Sequence, residues 1–139
     1  MKKTITILTA ILFIILAITP LFSTGEQETP SSFEPGTVIT PDQARILLNA
    51  DPPAILIDVR TRQEFSAGAI PHAILLPNTM INARTAEEVI PSLDYPVVLY
   101  CRSGNRSNQA LRALVSLGYT RVYDMGAIFD WDGPLIKPD

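Results

Sequence analysis

The chain is poor in the residues that usually carry metal, redox and nucleic-acid chemistry. It holds one cysteine, Cys101, and one histidine, His72, among 139 residues. A single thiol excludes an intramolecular disulfide, a Cys-x-x-Cys redox pair and a multi-cysteine zinc site. With only one imidazole to add to that thiol, no metal and no cofactor are expected. Basic residues are also few: beyond Lys2 and Lys3, nine Lys and Arg face 14 Asp and Glu. No basic stripe runs along the chain, so nucleic acid is not expected as a partner. Any anion chemistry has to come from a local positive pocket and not from the global field. The length suits one compact domain and not two.

Hydrophobic residues make up 47% of the chain, but they fall into two populations. Lys2 and Lys3 precede an apolar run from Ile5 to Ile18, interrupted only by Thr6, Thr9 and alanines, and Pro20 ends its helical pattern. Extended to Phe22, the run reaches 18 residues, near the lower limit for crossing a bilayer. Residues 1–22 are therefore expected to be a signal peptide or an N-terminal membrane anchor. Basic residues before the run, with Glu26 and Glu28 after it, place the remainder outside the cytoplasm, in a periplasmic or other extracytoplasmic space. Membrane contact is expected only through this segment. Residues 23–36, rich in Ser, Thr, Glu and Pro, are expected to be a flexible linker, with the folded domain at 37–139.

From Thr37 onward, short apolar runs alternate with helical segments. Thr40-Pro41-Asp42-Gln43 supplies an N-cap, a proline at the first helical position and a capping-box glutamine. The same pattern recurs at Thr61–Glu64 and Thr85–Glu88. Strands are expected at Thr37–Ile39, Ala54–Asp58, Ala73–Leu76, Pro96–Tyr100 and Arg121–Tyr123. Ile55-Leu56-Ile57 and Val97-Val98-Leu99 are continuously apolar, as suits strands covered on both faces of a parallel sheet. A last helix near Ser107–Leu117 carries Ala110, Leu111, Leu114 and Val115 at helical spacing and is stopped by Gly118. The expected fold is a three-layer α/β domain, a mainly parallel central sheet with helices on both faces.

The chemistry concentrates in Cys101-Arg102-Ser103-Gly104-Asn105-Arg106-Ser107, directly after an apolar strand and directly before a helix. Ligands of open α/β sheets bind beyond the carboxyl ends of strands, so a site belongs here. Gly104 and Asn105 tolerate left-handed backbone angles, which lets successive N–H groups converge on an anion. Those donors, the helix N-terminus, Arg102 and Arg106 form an anion cradle. Such surroundings lower the pKa of a thiol, about 8.5 when free, and would stabilise a persulfide in the same way. Ser103 and Ser107 are placed to donate to the sulfur anion, with Ser107 also a candidate helix cap.

This segment resembles the active-site pattern of the rhodanese family, Cys-x-x-Gly-x-Arg-Ser. Other stretches are similar to that family in the same order. Asp58-Val59-Arg60 with Glu64-Phe65 resembles its Asp-Val-Arg … Glu-Phe signature, and Gly68–Ala73 resembles Gly-His-Ile-Pro-Gly-Ala. Met125-Gly126-Ala127, Trp131 and Gly133-Pro134 resemble its C-terminal tail. The chain departs from the pattern at Ala69 (commonly histidine), His72 (commonly glycine) and Ala127 (commonly glycine).

The resemblance implies a sulfurtransferase with Cys101 as the catalytic nucleophile and Arg102 through Ser107 as the substrate-binding loop. Asp58 and Arg60 are read as structural support. The implied partners are a small anionic sulfur donor such as thiosulfate, a thiol or cyanide-like acceptor, and a protein persulfide acceptor. Two alternatives stand beside this reading. One is a noncatalytic persulfide carrier or binding module. The other is a cysteine-dependent phosphatase or arsenate reductase, whose loop is normally one residue longer than the four that separate Cys101 from Arg106.

Overall fold

The computed structural model describes residues 28–138. The expected signal or anchor at 1–22 and the start of the expected linker lie outside the described residues. Four parallel strands form one sheet in the order β2-β1-β3-β4. They are β1 (Ile55–Asp58), β2 (Ile74–Leu75), β3 (Val97–Cys101) and β4 (Val122–Ala127). The helices are α1 (Pro41–Leu48), α2 (Arg62–Ala67), α3 (Ala83–Glu87) and α4 (Asn105–Ser116).

The alternation of side chains along the central strands builds two apolar layers. Ile57, Val97, Leu99, Cys101 and Val122 face one way and pack with Ala86 of α3 and Ala110, Leu111 and Leu114 of α4. Leu56, Val98, Tyr100 and Tyr123 face the other way and pack with Ala44 and Leu47 of α1. Every residue of β3 is buried, so both of its faces contribute, at about 1.5–3 kcal/mol for each large apolar side chain removed from water. The central strands thus read as unbroken apolar runs because helices cover both sides.

Local signals set the helix ends. Thr40 and Thr61 each close a reciprocal capping box, with Gln43 and Glu64 respectively. The third expected box shifts register: Asn82 is the cap of α3 and Thr85 is its partner three residues on. Asn caps as well as Thr does, and it stands three residues earlier. Gly118, at φ 98°, ends α4, with its N–H on the Val115 carbonyl and the Tyr119 N–H on the Leu114 carbonyl. This is the paired bonding that a left-handed residue permits after a helix.

Several expectations are corrected. Thr37–Ile39 forms no full strand; Val38 makes one parallel bridge to Asp124 and stands 67% exposed. The chain before it is not a bare tether, since Phe33 is buried with the α1-side core and the Gly36 N–H bonds the Val122 carbonyl at 2.7 Å. One large aromatic is enough to anchor an otherwise polar stretch. β4 runs on past Tyr123 to Ala127, through Asp124 and Gly126, residues that read as turn formers.

Two departures from the family pattern are explained by backbone angles. His72 sits at φ 66°, in the region where a glycine would be unstrained. Ala127 adopts φ −90°, which any residue accepts, whereas its neighbour Gly126 takes φ 81° and needs to be glycine. Ala69 is fully buried and exchanges two 2.8 Å backbone bonds with Ile136.

Candidate active site

Cys101 is the last residue of β3, and the chain turns there into α4. The pairing of β3 with β4 slips at this end: Leu99 faces Asp124 and Tyr100 faces Gly126, leaving Met125 as an extra residue. A bulge of this kind bends the sheet edge and re-aims the strand end beside it. Gly104 is the helix cap at φ 94°, and a side-chain carbon built on it would lie 3.7 Å from the Gly126 Cα. The loop therefore lies down on the bulge where two glycines meet.

The sulfur is held at the floor of the loop. Cys101 is 0% exposed, and the Gly104 N–H donates to its Sγ at 3.0 Å. Burial, the largest influence, pushes the thiol pKa up. The Ser107 hydroxyl and the N–H groups of Ser107, Ser103 and Gly104 act against it, and the net result is a pKa below the ordinary thiol value. Donors that offset burial in this way raise the share of thiolate, the nucleophilic form of a cysteine.

The remaining loop residues divide by where they point. Ser107 is buried inside the first turn of α4, with its hydroxyl on the Gly104 carbonyl at 3.1 Å; the helix cap is Gly104, not Ser107. Asn105 is the first helical residue, not a left-handed one. Its Oδ1 accepts from Gln109 Nε2 at 3.3 Å, along the outside of the helix. Arg102 is exposed, and its guanidinium carbon lies 5.8 Å from the centre of the exposed Phe129 ring. Arg106 is clamped: its Nη1 and Nη2 donate to the two carboxylate oxygens of Glu64 at 2.7 and 2.8 Å.

Glu64, which the sequence places in a capping box and a family signature, is a further residue at the site. It closes the α2 capping box and grips Arg106 at once. The Arg106 hydrogen bonds, opposed by burial and joined by those of Thr61, hold its carboxyl at about 2. The signal available in the sequence is the capping-box spacing. The partner 42 residues away leaves no trace there.

Asp58 and Arg60 close on each other beneath the site, both buried. Arg60 Nη2 meets Asp58 Oδ2 at 2.6 Å and the Gly68 carbonyl at 2.7 Å, while the Arg60 N–H bonds Asp58 Oδ1 at 2.9 Å. Burial pushes the Arg60 guanidinium down, and Asp58 more than reverses it. Beside them the Tyr100 hydroxyl accepts from the Ile70 N–H at 3.2 Å. Its own ionisation is pushed up by burial and by the Asp58 charge. This cluster ties the end of β1 to the Gly68–Ile70 turn.

Asp124, which no motif singles out, is buried at the bulge and accepts from the Gly126 N–H at 2.7 Å. Burial, the largest influence, pushes its carboxyl above the ordinary value. A cavity of about 520 Å³, lined by Leu48, Ile55, His72 and Trp131 among others, contains no residue of the Cys101 loop. Beside Arg106, a small cleft of about 40 Å³ is lined by Arg60, Thr61 and Asn78.

A buried cysteine at the end of a parallel strand, ringed by backbone donors and opening a helix, defines a cysteine-loop α/β domain. Residues 40–133 match the rhodanese-like domain, and the chain belongs to that family. A sulfurtransferase of Allochromatium vinosum is 43% identical over 89 residues, covering 61% of this chain and 80% of its own. A thiosulfate sulfurtransferase of Pseudomonas savastanoi is 36% identical over 92 residues, covering 66% of this chain and 82% of its own. The solved structure of a rhodanese with anions from E. coli has a TM-score of 0.56 at 32% identity, covering 61% of this chain and 99% of its own. These likenesses support a sulfur-transferring role.

Proposed function

We propose that the protein moves sulfane sulfur from a small anionic donor of the thiosulfate type to a thiophilic acceptor, carrying it as a persulfide on Cys101. One observation carries this reading. The thiol is fully buried at the carboxyl end of β3, where the Gly104 N–H of the following loop donates to its Sγ at 3.0 Å. The thiolate attacks the outer sulfur of the donor, a new S–S bond forms at Cys101, and sulfite leaves with the electron pair of the old bond. The Gly104 N–H, which donates to Sγ at 3.0 Å, supports this as a preorganised donor beside the sulfur anion. A nucleophile such as cyanide or a thiolate, free or on a protein, takes the outer sulfur and returns the thiolate.

Four residues between Cys101 and Arg106 make a narrow ring, which favours a sulfur atom over a tetrahedral phosphoryl group. Steady-state formation of thiocyanate from thiosulfate and cyanide tests the reading. Wild type is expected to turn over many times and Cys101→Ser not at all. Turnover by the serine variant would contradict the covalent step, and one stoichiometric loading without turnover would favour a carrier. The paired Lys2 and Lys3 ahead of the apolar run support export of residues 26–139. A reporter active only outside the cytoplasm, fused after Asp139, is expected to be active; activity of a cytoplasm-only reporter instead would overturn export.

A further inference from the structure

A carboxyl lies buried on the strand beside the thiol, and the sulfur-transfer step does not use it. Asp124 stands in β4 opposite Leu99, two residues before Cys101 on the neighbouring strand. Among the described residues, no Lys, Arg or His comes within salt-bridge distance of it. Its Oδ1 accepts the Gly126 N–H, two residues on, at 2.7 Å, which closes a side-chain turn across the bulge. Gly126 takes φ 81° there, and a side-chain carbon built on Gly104 would lie 3.7 Å from its Cα. Gly104, itself at φ 94°, gives its N–H to Cys101 Sγ at 3.0 Å. A hydrogen bond, a packing contact between two backbones and a second hydrogen bond thus join the carboxyl to the sulfur. The start of this series is pinned from the sheet edge. The Asp124 N–H bonds the Thr37 carbonyl at 3.0 Å, and its carbonyl accepts the Ile39 N–H at 2.8 Å.

Resting on the sulfur-transfer reading above, we infer that Asp124 is a positioning residue, which through Gly126 and Gly104 holds a backbone donor on the Cys101 sulfur. What the position requires is an acceptor for the Gly126 N–H. Without one the turn opens, and Gly104 loses the surface that aims its N–H. The sulfur anion is then short of one donor in a buried setting, where an unmade bond to a charged group counts most. Removing the carboxyl has two effects on the thiol, and they differ in sign. Loss of a nearby negative charge lowers a thiol pKa, whereas loss of an N–H donor raises it. The other charged groups around the thiol stay in place when residue 124 is changed. They are the Asp58–Arg60 pair at the end of β1, the Glu64–Arg106 pair between α2 and α4, and Arg102.

The test measures the rate of Cys101 alkylation by iodoacetamide against pH in wild type, Asp124→Asn, Asp124→Ser and Asp124→Ala, with circular dichroism as the folding control. Cys101 is the single cysteine, so the label reports it alone. The midpoint of the profile, unlike the rate, does not depend on how easily the reagent reaches the sulfur. Asparagine keeps an acceptor oxygen and drops the charge, and its midpoint is expected at or slightly below that of wild type. Alanine drops both, and its midpoint is expected to rise by about one pH unit, roughly a tenfold loss of thiolate below the midpoint. Serine is a weaker acceptor and is expected to fall between the two, which decides the matter where the alanine variant does not fold. The rate of sulfur loading from thiosulfate is expected to fall in the same order. An alanine or serine midpoint at or below that of asparagine would overturn the inference. Failure of wild type to gain sulfur from thiosulfate would instead overturn the reading on which it rests, and the alkylation midpoints would still decide the role of Asp124.

Discussion

Two arginine–carboxylate pairs flank the loop, and they do opposite kinds of work. Asp58–Arg60 is buried, with side chains 0% and 7% exposed, and it directs its hydrogen bonds to backbone groups of the Gly68 turn and its own strand end. Glu64–Arg106 is partly open, at 27% and 31%, and it joins α2 to the first turn of α4, the helix that follows the thiol. The buried pair cannot be broken without leaving a charge in an apolar setting, which makes it a determinant of folding. The open pair is cushioned by solvent, so breaking it costs the fold little and changes the charge felt at the sulfur. Burial, more than residue type, decides which role a given ion pair plays.

The contrast can be broken from the buried side first. Asp58→Ala strands Arg60 without its carboxylate and is expected to destabilise the domain by about 3–5 kcal/mol, read as a fall in denaturant midpoint. A loss below about 1 kcal/mol would show that Arg60 finds water or another partner, and the contrast would lapse. The open pair is sharpened by pH. Glu64 has a folded pKa lowered to about 2, so its stabilising contribution is fully present above its ordinary value and is lost as pH falls from about 5 toward 2. Because the pair is partly exposed, that contribution is discounted to about 1 kcal/mol. Acid unfolding of Glu64→Gln is expected to be correspondingly flatter than that of wild type between those values. Superimposable curves would assign the acid sensitivity to other groups.

Much of this arrangement is legible in the amino-acid sequence. The unbroken apolar runs mark the two central strands, because strands covered on both faces have no polar side. Thr40 and Thr61 mark two helix starts through spacing alone. The Cys101 loop announces itself by composition, since a cysteine between an apolar strand and a glycine-containing helix start has few other uses. The clamp between Glu64 and Arg106 is not legible, because spacing along the chain says nothing about partners brought together by tertiary packing. The same holds for the burial of Asp124 and for the bulge that seats Gly104 on Gly126. Phe33 reads as part of a polar linker because one apolar residue barely shifts a local composition, though it is enough to hold a chain onto a core. Asn105 reads as left-handed because its type permits it; the neighbouring glycine takes that role at no steric cost.

The proposed function requires the loop around Cys101 to stabilise a sulfur anion one atom longer than the thiolate. Intact-mass analysis of the protein after exposure to thiosulfate, then after cyanide, measures this directly. The expected result is a gain of one sulfur atom on wild type, its removal by cyanide with release of thiocyanate, and no gain on Cys101→Ser. An unchanged wild-type mass, or an equal gain on the serine variant, would contradict it.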